Sequence, residues 1–485
     1  MKINRHSIVI KPDLYRVFLR PFYTSRNESA QRVVDSILAL TEREVSKMYI
    51  KVINDFAKRH ENIEKIILDR FEQVKENLNI NEKISFKRKA LIGSYFLMEY
   101  APEAAALFNP SIVVHPDQTG VPKGSIRFIL SLRATGEGHI SSITFRTGIL
   151  DSMNNIQLDD PVPFTLQAKR NQNSGYEKQL FLQKLQETGI NDDFSRYVIS
   201  LLPDVFVLND LKAILKQECE NGLQGDMHVE HSCQAIMLLA ESNYEVHFTG
   251  KSKLSQRILF PSGPSQSNGI EDARFVRFTE NDGSYMYYAT YTAYDGKITL
   301  PQLLKTKDFI NFQFSTLNGQ AVQNKGMALF PRKINGKYAM LSRQDDENIF
   351  LMYSDNIDFW YETKLLVSPS NPWEYMKIGT CGSPIETKYG WLVISHGVGA
   401  IRRYSIGAFL LDIDDPSRVI ARLAQPLLEP EESERDGYVP NVVYTCGAMV
   451  HGNDLIIPYA VSDYATKFAT VNLNKLIKKM KKDSM

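Results

Sequence analysis

Apolar residues recur at helical spacing through "TEREVSKMYIKVINDFAKRHENIEKIILDRFEQVKENL", which opens at Thr41: Val45, Met48, Val52 and Phe56, then Ile63, Ile67, Phe71, Val74 and Leu78. Thr41 and Glu44 have the spacing of a capping box, which marks a helix start. The pattern predicts a helical region over roughly residues 27–108. A second helical stretch, about 175–222, is broken at Pro203, whose ring and missing N–H interrupt a helix.

The remaining chain has the short alternating runs of strands, and they repeat. Gly124 precedes "SIRFILSLRA", Gly283 "SYMYYATYTAY", Gly336 "KYAMLSR", Gly390 "WLVISHG" and Gly452 "NDLIIPYAV". The last four glycines stand 53, 54 and 62 residues apart, and the first gap of 159 leaves room for an insertion of about 100 residues. A period near 55 residues with a hairpin in each unit is the signature of a propeller of four-stranded blades, and five units fit. The chain is therefore expected to be mainly β: a five-bladed β-propeller over 109–485, an N-terminal segment 1–108 that is mostly helical, and a helical insertion at about 165–232 after the first blade.

If each glycine turns a hairpin, the strand start eleven residues before it and the strand end after it share the opposite end of the blade. The starts are Asp272, Lys325, Gly379 and Asn441; the ends are Arg133, Tyr291 to Asp295, Arg343, His396 and Asp463. Ionisable side chains thus recur where blades would converge, which is where a ligand would bind. Polar strand ends are also common without any ligand.

Composition narrows the function. With 57 basic and 56 acidic residues among 485, the net charge of +1 offers no general attraction to nucleic acid or an anionic membrane. No run of 18 apolar residues occurs and the N-terminus lacks an apolar core of signal-peptide length, so a soluble cytoplasmic protein is expected. Four cysteines, Cys219, Cys233, Cys381 and Cys446, show no metal-ligand spacing, and their scarcity suits a reducing compartment. "HVEH" (His228 to His231) lacks the i,i+4 spacing of a helical metal pair, so no metal is expected.

The motifs "FNPS" (108–111), "LSLRATGEGHISS" (130–142), "GIEDARF" (269–275), "NKGMALFPRKINGKYAMLSR" (324–343), "KIGTCGSPI" (377–385), "GWLVISHGV" (390–398), "GYVPNVVYTCGA" (437–448) and "SDYAT" (462–466) resemble, in order, those of the β-mannoside phosphorylases of glycoside hydrolase family 130. The resemblance implies a five-bladed propeller with an axial active site and Asp272 as catalytic acid, its proton passing through a mannose hydroxyl. It implies phosphate binding by Lys325, Arg343, Lys377 and His396, with Tyr404 nearby, and mannose contacts at Asn109, Arg133 and Asp463. Inorganic phosphate would be a co-substrate, with no cofactor, and the partners would be a small carbohydrate and phosphate; a homo-oligomer is compatible. A cationic cluster would otherwise repel itself, and phosphate is already an anionic nucleophile, so one acid facing that cluster is coherent without a second carboxylate base. The alternatives are an inverting β-mannosidase and a non-catalytic sugar-binding or scaffold propeller.

Some details depart from the family pattern. Ala273 replaces the usual proline, Lys325 stands where arginine is frequent, and "LSRQDDEN" carries three acids beside Arg343. Glu271, Arg274, Tyr291, Asp295 and Asn441 complete the substrate-side candidates. An extended segment would turn Glu271 to the opposite face from Asp272, as a partner for a neighbouring cation. Asp272 with Arg274 also reads as a surface ion pair. Glu386 is expected to be solvated, Cys381 and Cys446 buried, and Arg402 and Arg403 either in the phosphate cluster or paired on the rim.

Overall fold

The computed structural model describes residues 1–24, 26–76, 80, 84–171, 173–222 and 227–484; Leu78 of the first helical pattern lies outside them. Among the described residues the chain is mainly β, its larger sheets divisible into five antiparallel groups of strands, with an N-terminal helical region, an inserted one and a final helix Leu473–Asp483. The first group runs Ala106–Val114, Ile126–Thr135, Ser141–Leu150 and Ile156–Leu158. The second runs Gly269–Thr279, Tyr285–Tyr294, Thr299–Thr306 and Asn311–Thr316, and joins the first through a parallel pairing of Gly269 with Ser141. The third contains Ala328–Leu329, Tyr338–Ser342, Ile349–Ser354 and Thr363–Val367. The fourth is built on Lys377–Thr380, Gly390–Val398, Tyr404–Leu411 and Val419–Arg422.

The fifth group contains Val443–Tyr444, Asp454–Val461 and Ala465–Asn472, and its outer strand is Ile3–Ile10 from the chain start. The opening residues therefore belong to the last sheet, not to a helical segment. Arg5 anchors them, bonding Glu434 and the hydroxyl of Tyr459 beneath. Strands of successive groups touch, from the first to the second through to the fifth, and Ala106–Val114 of the first also lies against Asp454–Val461 of the fifth.

Gly283, at φ +84, makes the turn between Thr279 and Tyr285, in a conformation that a side chain would strain. From this turn the strands run back to Gly269 opposite Tyr294, so Asp272 and Tyr291 lie toward the far end of the pair.

The N-terminal helices are Asn27–Leu38, Glu42–Phe56, Ile63–Lys75 and Phe86–Tyr95. The Thr41–Glu44 capping box is formed, and Val34, Ile37, Val45, Phe71, Leu91 and Ile92 pack between the helices. Glu103, fully buried, accepts from Arg16 and Arg146, while Arg16 also donates to the carbonyls of Val162 and Ser255. That ionic knot fastens the N-terminal segment to the first strand group. The insertion holds helices Lys178–Glu187, Asp193–Ser200, Leu208–Gly222 and Met227–Ser242, with Pro203 just after the second. Its last helix runs ten residues past the 232 expected from the sequence because Ile236, Leu239 and Ala240 are buried in the insertion's own core. Cys381 and Cys446 are free and buried, whereas Cys233 is disulfide-bonded, a pairing the cysteine spacing did not suggest. The side chain of Cys219 lies outside the described residues.

Candidate active site

Asp272 sits in a bulge. Glu271 pairs with Thr292 and Arg274 with Thr290, so Asp272 and Ala273 together oppose Tyr291, and Asp272 takes a left-handed φ of 54°. The first strand group repeats the device. Asn109 and Pro110 bulge between Phe108, paired with Arg133, and Ser111, paired with Ser131, and Asn109 has φ 47°. Asp and Asn tolerate this conformation better than most residues, and proline has no ladder hydrogen to lose. The two bulges bring their side chains together: Asn109 Nδ2 donates to Asp272 Oδ1 at 2.6 Å.

The bulge overturns the expectation that Glu271 faces away from Asp272, while its expected pairing with a neighbouring cation is formed. Because the strand is not regularly extended there, Glu271 and Asp272 both reach Arg133, at 2.6 and 3.3 Å. Nor is Arg274 a surface partner of Asp272. It is 3% exposed and donates to Gly326 O, to Thr380 Oγ1 and to the hydroxyl of Tyr444, linking its own second group to residues leading into or within the third, fourth and fifth.

Asn109, Arg133, Asp272 and Arg274 line one cavity of about 140 Å³. Its walls carry Asn109, Arg133, Asp272, Arg274, Tyr291, Lys325, Arg343, His396, Tyr404 and Asp463 among the residues expected from the sequence. Arg402 also lines it, while Arg403 turns away to Glu429 at 3.5 Å. Thr292, within the Tyr291 to Asp295 strand end, lines it too, and so do Tyr444 and Thr290, which were not singled out; Tyr444 sits within the quoted "GYVPNVVYTCGA", and its hydroxyl on Arg274 depends on contact between distant groups that no local pattern encodes.

Four expected site residues are not among the lining: Glu271, which is held on Arg133, and Asp295, Asn441 and Lys377. Asp295 is a turn residue whose carboxylate accepts the N–H groups of Lys297 and Ile298. Asn441 offers its carbonyl to the N–H of Tyr404, and its neighbour Val442 lines the cavity instead. Lys377 is not among the lining residues and is held at 2.6 Å by Asp346. Glu386 is exposed as expected and grips Arg332 through both oxygens at 2.9 Å.

Five cations and two carboxylates line the cavity. Burial pushes Asp272 up, but Arg133, Lys325 and the Asn109 hydrogen bond outweigh it and hold its carboxyl below the usual range. Asp463 goes the other way: burial and the neighbouring charge of Asp272 push it up to about 6. His396 is kept neutral, because burial and the adjacent Arg343 disfavour its cation. Arg343 Nη1 can only donate, so at 3.1 Å it makes His396 Nε2 the acceptor and leaves the ring proton on Nδ1. The histidine thus orients Arg343 and adds no positive charge. Gly379 leaves room for the pair, since a β-carbon there would stand 2.4 Å from His396 Cε1. Tyr404 stacks on the other side, with ring centroids 5.9 Å apart.

Three buried polar atoms of this wall lack a hydrogen-bond partner: Nε of Arg274, Nε of Arg343 and Oδ1 of Asn109. Buried polar groups are normally satisfied, so two donors on cations beside one acceptor suit an anion next to a hydroxyl-bearing ligand.

The model of the family described as beta-1,4-mannooligosaccharide phosphorylase matches residues 225–482. A 1,2-beta-oligomannan phosphorylase of Thermoanaerobacter sp. (strain X514) is 35% identical over 231 residues, covering 46% of this chain and 75% of the relative. A beta-1,4-mannooligosaccharide phosphorylase of Ruminococcus albus is 34% identical over 294 residues, covering 56% of this chain and 84% of the relative. The solved beta-1,2-mannobiose phosphorylase of Listeria innocua, in complex with beta-1,2-mannobiose, superposes with a TM-score of 0.46 at 21% identity, over 78% of this chain and 92% of that one. With the family model matching more than half of its length, the chain belongs to glycoside hydrolase family 130, the β-mannooligosaccharide phosphorylases.

Proposed function

We propose that the protein catalyses inverting phosphorolysis of short β-1,2- or β-1,4-linked mannosides to α-mannose 1-phosphate, and the reverse synthesis. One phosphate oxygen attacks the anomeric carbon, the glycosidic C–O bond breaks with its electron pair, and the leaving oxygen takes a proton that originates on Asp272 and passes through a mannose hydroxyl. Lys325 and Arg343 hold the phosphate, with His396 and Tyr404 fixing Arg343. Asn109, Arg133, Tyr291 and Asp463 hold the mannosyl ring. The five strand groups are read as propeller blades around one axis, a reading supported by the succession of contacts between groups and by the reach of Arg274 across them.

The observation that carries the reading is the shared cavity: Asp272 and the cations Arg133, Arg274, Lys325 and Arg343 line the same space. An acid also needs a proton, and Asp272 is held in its ionised direction by Arg133 and Lys325 despite burial. A phosphate dianion placed among those cations would cancel much of their field and let Asp272 take up a proton, so that nucleophile binding arms the acid. The names of the relatives support a mannoside donor and phosphate acceptor.

The test is incubation with β-1,2-mannobiose and β-1,4-mannooligosaccharides, with and without inorganic phosphate. Mannose 1-phosphate formed only with phosphate is the expected result. Free mannose released without phosphate would assign a hydrolase, and no turnover on any mannoside would assign a binding protein.

A further inference from the structure

Arg343 and Lys377 are already in contact with an anion that belongs to the chain. Asp346 Oδ1 lies 3.0 Å from Arg343 Nη2 and its Oδ2 lies 2.6 Å from Lys377 Nζ, so one carboxylate bridges two groups of the basic cluster. The turn does not need this carboxylate. Asp345 makes the turn, accepting the N–H groups of Glu347 and Asn348 at 2.9 and 2.8 Å and the side-chain amide of Asn348 at 2.6 Å. Asp346 itself stands at φ 63°, in the left-handed region where glycine would be unstrained. A side chain kept at such a position, with both oxygens on cations, is evidence that the charge matters.

Exposure shows which partner can yield. The side chain of Asp346 is 47% exposed and that of Lys377 23%, whereas Arg343 is 7% exposed. Arg343 is fixed by His396 on Nη1 and by Asp346 on Nη2, and its Nε is unpartnered. Lys377 does not line the cavity, and its amine is held by the same carboxylate.

We propose that Asp346 is a built-in counter-anion that competes with phosphate for Arg343 and Lys377 and thereby sets the enzyme's affinity for phosphate. The proposal rests on the assignment of the basic cluster to phosphate. An incoming dianion at Arg343 is repelled by Asp346 on the same guanidinium, and it reaches Lys377 only if the carboxylate lets go. Between turnovers the carboxylate keeps two cations from facing one another unpaired.

The decisive comparison is the full-length wild type against Asp346→Asn and Asp346→Gly, the first keeping the shape and the second relieving the backbone. Calorimetric titration with inorganic phosphate at fixed ionic strength needs no turnover, and the phosphate and mannoside KM values are measured alongside. Both variants are expected to bind phosphate about three- to tenfold more tightly, with the phosphate KM falling and the mannoside KM moving much less. Unchanged or weaker phosphate binding in the folded variants would overturn the proposal and make Asp346 a positioning residue that holds the cations in place. If the wild type binds phosphate and the variants bind it more tightly, yet no mannoside is phosphorolysed, the role of Asp346 stands and the proposed reaction falls.

Discussion

Asp272 and Asp463 share one cavity and are pushed in opposite directions, which divides their roles. Asp272→Asn keeps a residue that tolerates its left-handed backbone but removes the proton. The expected loss of phosphorolysis is about a hundred- to ten-thousandfold with thermal stability near that of the wild type, measured by mannose 1-phosphate release and a melting curve. For Asp463, the folded protein keeps the proton up to a pH of about 6 while the unfolded chain releases it near 3.8. Its contribution to stability is therefore present below the lower value and lost as pH rises through the upper one. Relative to wild type, Asp463→Asn should gain on the order of 1–3 kcal/mol between pH 4 and 7 in urea unfolding; a difference that does not vary with pH would contradict the assignment. At this scale the sequence was most legible where a residue's place in the repeat set it beside its counterparts: Asp272, Lys325, Arg343 and His396 do line one cavity. It was least legible at Glu271, where a bulge reversed the alternation that strand spacing assumes, and at Lys377, whose direction depends on an acid from another strand group.

Strands and helices were legible wherever the signal was local. The glycine turns and the Thr41 capping box appear in short windows of sequence and are formed. The strand Ile3–Ile10 was not, because its partner Ala465–Asn472 lies at the other end of the chain and pairing at that separation leaves no local trace. Removing residues 1–10 exposes the edge of Ala465–Asn472 and takes Arg5 from the fully buried carboxylate of Glu434, which would retain Lys467 at 3.0 Å. The expected cost is about 3–5 kcal/mol, read as a lower urea midpoint. Stability equal to the full chain would show that this strand is ornamental to the last group.

In the molecule as a whole, the binding wall exists only because residues from distant strand groups converge. Arg274 draws its hydrogen-bond partners from near residues 326, 380 and 444, and Asp272 draws its own from 109 and 133. The repeat in the sequence implied that convergence without revealing which atoms meet, and the two helical regions lay outside what the repeat could describe. The central claim is that this wall holds a sugar and an inorganic anion for direct reaction. It is tested most directly by following β-mannobiose and phosphate in one sample with proton and phosphorus NMR. The account predicts that α-mannose 1-phosphate is the first sugar phosphate to appear and that phosphate is consumed in step with the disaccharide. A β anomer as first product, or mannose accumulating while phosphate stays constant, would contradict it.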